Sequence, residues 1–298
     1  MQPVTPSRWT DLERPPLDVR ALQRALVDYG IWRDVRVVDE TGSTNADVAE
    51  LARSGSAAGL VVVAEHQTSG RGRLDRVWSA PPRSGLTFSM LLRPGDVTPD
   101  VMPHLRAGLP PLVATAVPPA RWPLLPLIVG VGVATALAAV ADVAVGLKWP
   151  NDVMIGDRKV AGILAEQVEA VGSSGAAVVA GVGLNVTLRE SELPVPTAIS
   201  LALAGASCTD RDTVLKAVLR AIGDEYLAWR AVGGDGARSV LPRYRELCVT
   251  LGRDVRAELP GRTAVEGRAI EIDDDGALVV ETAAGRRAVL AGDISHLR

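Results

Sequence analysis

Lys148-Trp-Pro-Asn-Asp-Val-Met-Ile-Gly-Asp-Arg-Lys-Val-Ala-Gly-Ile-Leu-Ala-Glu166 is the stretch on which the fold turns. Val153 to Ile155 and Lys159 to Val168 are separated by Gly156-Asp157, which predicts a β-hairpin. Upstream, Val145 to Lys148 reads as an apolar strand that Pro150 stops and turns, so Asn151 and Asp152 project from a sheet edge. Lys159 stands just past the tight turn. Of 32 basic residues only Lys148, Lys159 and Lys216 are lysines, and two of the three fall here. Such placement suits a site that needs a compact ammonium rather than a planar guanidinium. An amide and a carboxylate at a sheet edge can hold a ribose, an adenine or a phosphate-bound Mg²⁺. An ammonium beside them can stabilise a transferring phosphoryl oxygen. The alternative is a hairpin whose Asn, Asp and Gly only satisfy turn geometry.

Working outward, residues 1–16 are polar and proline-rich, and they read as a flexible lead-in rather than a signal peptide. Leu17 to Tyr29 carries one helical apolar face that ends at Gly30. Val35 to Val38 is a predicted strand. Ser43 and Thr44 offer N-caps to the next helix, with Asp47 completing a capping-box pattern, and that helix ends near Gly55. Leu60 to Ala64 is a β-branched buried strand. Leu86, Phe88, Met90 and Leu92 alternate as in a strand with one buried face. Nine prolines fall between Pro94 and Pro126 inclusive, so about 99–123 is expected to be a long loop or insertion. Helices are predicted at Leu127 to Ala141, Arg211 to Arg230 and about 236–247, and a buried strand at Ala176 to Leu184. After Cys248, short strands alternate with turn signals, the pattern of a small β-barrel.

Composition narrows the function classes. The 298 residues are 47% apolar, enough for a full core, and the net charge is −3 with no basic stripe. A nucleic-acid role is therefore not expected. Cys208 and Cys248 lack a CxxC or a nearby His, which argues against a disulfide framework or zinc site and for a reducing cytoplasm. Leu124 to Ala141 approaches the length of a membrane span, but Pro126 and Asp142 bracket it and a buried helix is the better reading. No membrane role is expected.

Three further motifs carry chemistry. Gln67-Thr-Ser-Gly-Arg-Gly-Arg73, with Arg76 and Trp78, sets planar cations on a glycine-containing loop suited to carboxylate or phosphate. It lacks the GK[ST] ending of a Walker A loop, and a lone RGR is often just a solvated turn. Gly181-Val-Gly-Leu-Asn185 ends a strand. It is no dinucleotide fingerprint, because Val186 stands where glycine is needed and no helix pattern follows. Asn185 can read an adenine edge or ribose, or the motif is simply a glycine-containing strand end. Glu40-Thr-Gly-Ser-Thr-Asn45 is by itself an N-cap, although its hydroxyls and N–H groups can also bind a polar ligand head. His66, His104 and His296 are scattered, and no HExxH or GxSxG is present.

Taken together and in order, ETGSTN, QTSGRGRLDRVW, KWPNDVMIGDRKVAGILAE and GVGLNV resemble the biotin–protein ligase family. The terminal AGDISHLR resembles the end of that family's small C-terminal domain. The resemblance spans about 35–298 and implies an α+β fold. A mixed β-sheet catalytic domain with helices, akin to class II aminoacyl-tRNA synthetases, would occupy 17–247. An SH3-like β-barrel would occupy 248–298. It implies ATP and Mg²⁺ as cofactors, biotin as substrate, and the biotin-accepting carrier domain of a biotin-dependent carboxylase as partner. Biotin would be held by Ser43, Thr44, Asn45, Gln67, Gly70, Arg71, Arg73, Lys159 and Gly162. The nucleotide side would be lined by Arg76, Trp78, Lys148, Asn151, Asp152, Lys159 and Asn185. Lys159, Arg73 and Asp152 would be catalytic, with Asp152 the candidate Mg²⁺ ligand. Some family members carry an N-terminal winged helix that represses transcription. About 34 residues precede the core here, so a repressor role is not expected. Two other readings stay open: lipoate or octanoate transfer on a related fold, and a biotin sensor with little catalysis.

Overall fold

The computed structural model describes residues 13–27, 30–73, 76–97, 115–170, 175–259 and 263–297. Five α-helices and fourteen strands are formed among them. The helices are α1 (Val19–Leu26), α2 (Thr44–Arg53), α3 (Leu125–Ala141), α4 (Arg211–Ala231) and α5 (Val240–Leu247). The first nine strands are β1 (Asp34–Val38), β2 (Leu60–Ala64), β3 (Gly70–Arg71), β4 (Val77–Trp78), β5 (Gly85–Leu92), β6 (Gly146–Lys148), β7 (Asp152–Ile155), β8 (Arg158–Glu169) and β9 (Ala176–Asn185). The last five are β10 (Asp254–Glu258), β11 (Ala264–Ile272), β12 (Leu278–Thr282), β13 (Gly285–Val289) and β14 (Asp293–His296).

Seven strands form one mixed sheet in the order β1-β2-β5-β9-β8-β7-β6. Only β1 and β2 run parallel; the remaining pairs are antiparallel. The β7–β8 hairpin is therefore the one the sequence predicts, at the far side of the sheet from β1. Alternate residues of a strand face opposite layers, and both layers here are apolar. Phe88, Met90, Val178, Ala180 and Val182 join the large core beneath α3 and α4. Leu91, Ala177 and Val179 join a smaller core under Val48, Ala49 and Ala52 of α2. The expectation that β5 has one buried face is thus corrected: every residue from Gly85 to Leu92 is buried, because helices cover both sides.

Helix α3 is the long apolar segment, and it lies inside the core, with Leu127, Ile128, Val131 and Leu137 at 2% exposure or less. A Cβ at Gly132 would stand 2.8 Å from Ile222 Cα, so this glycine sets the close crossing of α3 on α4. Of the proline-rich stretch, 98–114 lies outside the described residues, whereas Pro119–Leu124 forms a 3₁₀ turn leading into α3 rather than loop. Of the lead-in, 1–12 lies outside the described residues. Arg14 is tied down by hydrogen bonds to Glu192 and Thr187 O, and Pro15 O accepts from Arg211. Arg211 and Glu65 form an ion pair in which the side chains are 5% and 4% exposed.

The last five strands make one antiparallel sheet in the order β13-β12-β11-β10-β14, with a bulge between Ala269 and Glu271. Where the sequence predicts a small barrel there is this five-stranded antiparallel sheet, and no ladder joins β13 to β14 among the described residues. It is stitched to β6 by Val249 N–H donating to Leu147 O at 2.9 Å and by Trp149 Nε1–H donating to Gly276 O at 2.9 Å. That contact brings C-terminal residues to the mouth of the site.

Candidate active site

A cavity of about 780 Å³ opens on the α2 side of the large sheet. Its floor is made by absence. Gly181 and Gly183 continue the face that carries Ala177 and Val179, and where α2 stops covering the sheet these glycines leave a trough. A Cβ at Gly181 would fall 2.0 Å from Asn45 Oδ1, and one at Gly183 would fall 2.3 Å from Trp78 Cε2. The Gly-Val-Gly spacing therefore serves close approach by two site residues. This role is legible in sequence only as two glycines on one strand face.

One end of the cavity is a polar relay. Gln67 Oε1 accepts from Thr44 N–H at 2.8 Å and lies 3.0 Å from Thr44 Oγ1. Thr44 Oγ1 lies 2.7 Å from Ser89 Oγ, and Ser89 Oγ donates to Asn45 Oδ1 at 2.6 Å. Asn45 Nδ2 donates to Glu166 Oε2 at 2.7 Å. Two hydroxyl protons serve these three oxygen contacts. They satisfy two of the three at a time: Ser89 donates to Asn45, and Thr44 donates to Gln67 or to Ser89. The capping box expected at Ser43, Thr44 and Asp47 is not formed: Ser43 is the N-cap without a side-chain bond, and the Thr44 hydroxyl is spent on the relay. Ser89 and Glu166 complete this end. Glu166 closes the hairpin stretch that opens the sequence analysis, without a role assigned to it there, whereas Ser89, a lone serine inside an apolar strand, carries no signal.

The glycine–arginine loop is a short ribbon, with Gly70 paired to Trp78 and Arg71 to Val77. Gly70 is required by the pairing, since a Cβ there would meet Trp78 O at 2.4 Å. Trp78 lies over Gly162 and Gly183, and its indole Nε1 is buried with no hydrogen-bond partner. An unanswered buried donor costs stability unless a ligand accepts from it. Arg73 Nη1 donates to Asn151 Oδ1 at 3.3 Å, and burial pulls the Arg73 guanidinium below its usual value. Arg76 forms an ion pair with Asp293 of the C-terminal sheet. Arg71 lines the mouth.

Lys159 sits between the two ends. Its ammonium is 2.6 Å from Asp152 Oδ1 and 6.0 Å from the centre of the Trp78 ring. Its backbone is held on the far side by Lys159 N–H to Thr197 O at 2.7 Å and Ile199 N–H to Lys159 O at 2.9 Å. Gly162 leaves room for the ammonium, which would lie 2.9 Å from a Cβ there. Asn151 Nδ2 and Asn185 Nδ2 are spent on Ile163 O and Ile199 O, at 2.8 and 3.0 Å. Asn185 therefore lines the cavity with one of its two N–H donors already committed, less than the sequence suggests. Lys148, Arg253, Asp293 and His296 close the remaining end. The last three come from a segment remote in sequence; Asp293 and His296 fall in the terminal AGDISHLR stretch, to which the sequence reading gives no site role, and Arg253 falls in no motif. All the expected site residues except Gly70 line this cavity; Gly70 lies behind it in the ribbon. Among the described residues no group of three His, Cys, Asp or Glu is placed to hold a metal ion.

Sequence models of two families match the chain. The biotin/lipoate A/B protein ligase family matches residues 37–185, and the biotin protein ligase C-terminal domain matches 250–297. The biotin–[acetyl-CoA-carboxylase] ligase of Mycobacterium tuberculosis is 39% identical over 293 residues, 97% of this chain and 98% of that protein. The chain belongs to the biotin protein ligase family. The bifunctional ligase/repressor BirA of Escherichia coli, another relative, is 30% identical over 90% of this chain and 75% of its own length. Among solved structures, the biotin protein ligase of Aquifex aeolicus in complex with biotin and ATP superposes with a TM-score of 0.69. It is 26% identical, over 90% of this chain and 100% of that one. The mixed sheet with its appended antiparallel sheet is thus the fold of biotin protein ligases.

Proposed function

We propose that the chain activates biotin with Mg·ATP and transfers the biotinyl group to a lysine of a carrier domain in a biotin-dependent carboxylase. In the first step a biotin carboxylate oxygen attacks the α-phosphorus, the bond to the β-phosphate oxygen breaks, and pyrophosphate leaves. In the second, the carrier lysine attacks the acyl carbon of biotinyl-5'-AMP, AMP departs, and the amine loses a proton to solvent. No enzyme nucleophile is needed; positioning and electrostatics carry the reaction.

One observation carries this reading: Lys159 stands at the junction between a hydrogen-bonding end without cations and a cationic end of one cavity. The ureido ring of biotin offers donors and an acceptor to Ser43, Thr44, Asn45 and Gln67, while Lys159 meets the carboxylate and α-phosphate. Arg71, Arg73 and Gly70 order the ribbon over the adenylate. Trp78, Arg76, Asn151, Asp152 and Asn185 flank the nucleotide, and the free indole N–H finds its acceptor there. Mg²⁺ arrives with the phosphates, since Mg²⁺ is usually held by one or two carboxylates plus substrate oxygens; Asp152 is the carboxylate in reach. A dithiolane has no group to answer the relay and would leave its amides unpaired. That disfavours lipoate. The free thiols Cys208 and Cys248 and the buried α3 suit a cytoplasmic protein.

The test is pyrophosphate release by the purified chain with Mg·ATP and biotin, lipoate or no acid. Release with biotin alone is expected; equal release with lipoate, or none with biotin, refutes the assignment.

A further inference from the structure

Glu166 stands outside the main cavity yet holds one of its residues. Positions 162, 164 and 166 of β8 share a face of the sheet, opposite Gly183, Gly181 and Val179 of β9. Gly162 and Leu164 line the main cavity, whereas Glu166 opens on an adjoining hollow behind the ribbon, beside Ser69 and Arg71. Among the described residues its carboxylate forms no ion pair. Its partner is the Asn45 amide, whose Nδ2 donates to Glu166 Oε2 at 2.7 Å and to Leu164 O at 3.3 Å.

That pair sets a direction. A carboxylate and a backbone carbonyl only accept, so together they oblige Asn45 to turn its N–H groups toward β8 and its Oδ1 toward Ser89. Gly181 gives this oxygen its space, since a Cβ there would fall 2.0 Å from it. Ser89 is 0% exposed, and its one proton is spent on Asn45 Oδ1 at 2.6 Å. The Ser89 oxygen can then only accept, and Thr44 Oγ1 is the hydroxyl in reach at 2.7 Å. When the Thr44 proton turns to Ser89, Thr44 and Gln67 keep lone pairs for whatever occupies the cavity they line. A reversed Asn45 would undo this: its N–H would face Ser89, the Ser89 proton would turn to Thr44, and the Thr44 proton would turn outward.

We propose that Glu166 is a positioning residue for specificity: by fixing the direction of the Asn45 amide it makes the Thr44 wall accept, and so selects a ring that presents N–H groups. This rests on the reading of the relay end as the subsite of the biotin ureido ring. A ureido ring carries an N–H on each side of its carbonyl. A cyclic carbamate of the same shape has an oxygen in place of one N–H and brings a lone pair against a lone pair. Polar groups left unpaired in a dry site are what such a site uses to reject a near-isostere. Glu166 exerts this without touching the ring, through Asn45, Ser89 and Thr44 in turn.

The experiment is calorimetric binding of biotin and of its two cyclic carbamate isosteres, each with one ureido N–H replaced by oxygen, to the full chain. The proteins are the wild type, E166M, E166A, E166Q, S89A and the S89A/E166M double variant, and the readout is the ratio of the two affinities on one protein. The wild type should bind at least one carbamate about tenfold or more weakly than biotin. E166M and E166A remove the acceptor and should lower that ratio by about fivefold, whereas E166Q keeps an acceptor in its Oε1 and should stay within about twofold of the wild type. S89A cuts the link to Thr44, so the ratio should fall, and adding E166M should lower it no further. An unchanged ratio in E166M and E166A, an equal fall in E166Q, or additive falls in the double variant overturns the proposal. Wild-type protein that binds no biotin defeats the subsite reading and the proposal together. Wild-type protein that binds biotin and both carbamates alike defeats the proposal alone.

Discussion

Gly183→Ala tests the floor of the site. The new Cβ would lie 2.3 Å from Trp78 Cε2 and 2.7 Å from Cδ2 and Cζ2. Carbon atoms in comfortable contact stand about 3.5 Å or more apart, so the indole must withdraw by roughly 1 Å. Strand β9 cannot yield instead, because Gly183 is paired with Thr87 on one side and Gly162 on the other. Trp78 sits on a two-residue ribbon strand, which can swing away with Arg71 and Gly70. Overpacking of this kind costs about 1–3 kcal/mol, and here it falls on the closed ribbon rather than on the fold. Nucleotide affinity should then drop about 5- to 150-fold. Replacing a mid-strand glycine by alanine relieves about 0.5–1 kcal/mol of backbone entropy cost, so the melting temperature should hold or rise. Steady-state KM for ATP, read beside a thermal melt, decides the matter. An unchanged KM for ATP refutes the reasoning, as does a melting temperature several degrees lower with KM intact, which would place the strain in the core.

Arg211→Met leaves the Glu65 carboxylate buried at 4% exposure without its partner; a loss of about 3–5 kcal/mol is expected, read from the urea midpoint, and a shift under a third of that would mean the pair is not what holds this corner. Lys159→Gln should lower the rate of biotin-dependent pyrophosphate release by about 100- to 1000-fold, the scale of one lost transition-state donor; a variant within tenfold of wild type would show that Lys159 is not at the reacting phosphate. The His296 imidazole, depressed from 6.5 to about 4 in the folded empty protein, makes the unfolded chain the better proton acceptor between those values. Stability is then full above about pH 6.5 and falls as pH drops toward about 4. His296→Gln should flatten that part of the pH–stability curve, and an unchanged slope would count against the burial of this ring.

The hairpin and the relay mark the limits of what can be read from residues in order. Gly156-Asp157 between two apolar runs dictates the β7–β8 hairpin, and Lys159, Asn151 and Asp152 then converge because they sit within one local unit. Asn185 was harder: a strand-end amide beside glycines suggests an open contact, and only the neighbouring segment, with Ile199 O, shows half of it already spent. Thr44 looked like a helix cap because capping is a local rule. Ser89 and Gln67, 45 and 23 residues away, redirect its hydroxyl. The single-faced pattern of β5 misled for the same reason, since small residues between large ones can be buried beneath a helix as well as exposed.

By itself the sequence determined the order of the longer strands and helices, the hairpin that carries Lys159, the glycines that admit close approach, and the family to which those motifs belong. Each of these follows from neighbours a few residues apart, where backbone geometry and periodicity act. Only the tertiary structure decided which donors are spent and which are left over: the free Trp78 indole, the Arg76–Asp293 ion pair and the neutral His296. Those outcomes depend on burial and on partners as distant as 217 residues along the chain. Desolvation and charge act through space, so they have no period for a linear reading to detect.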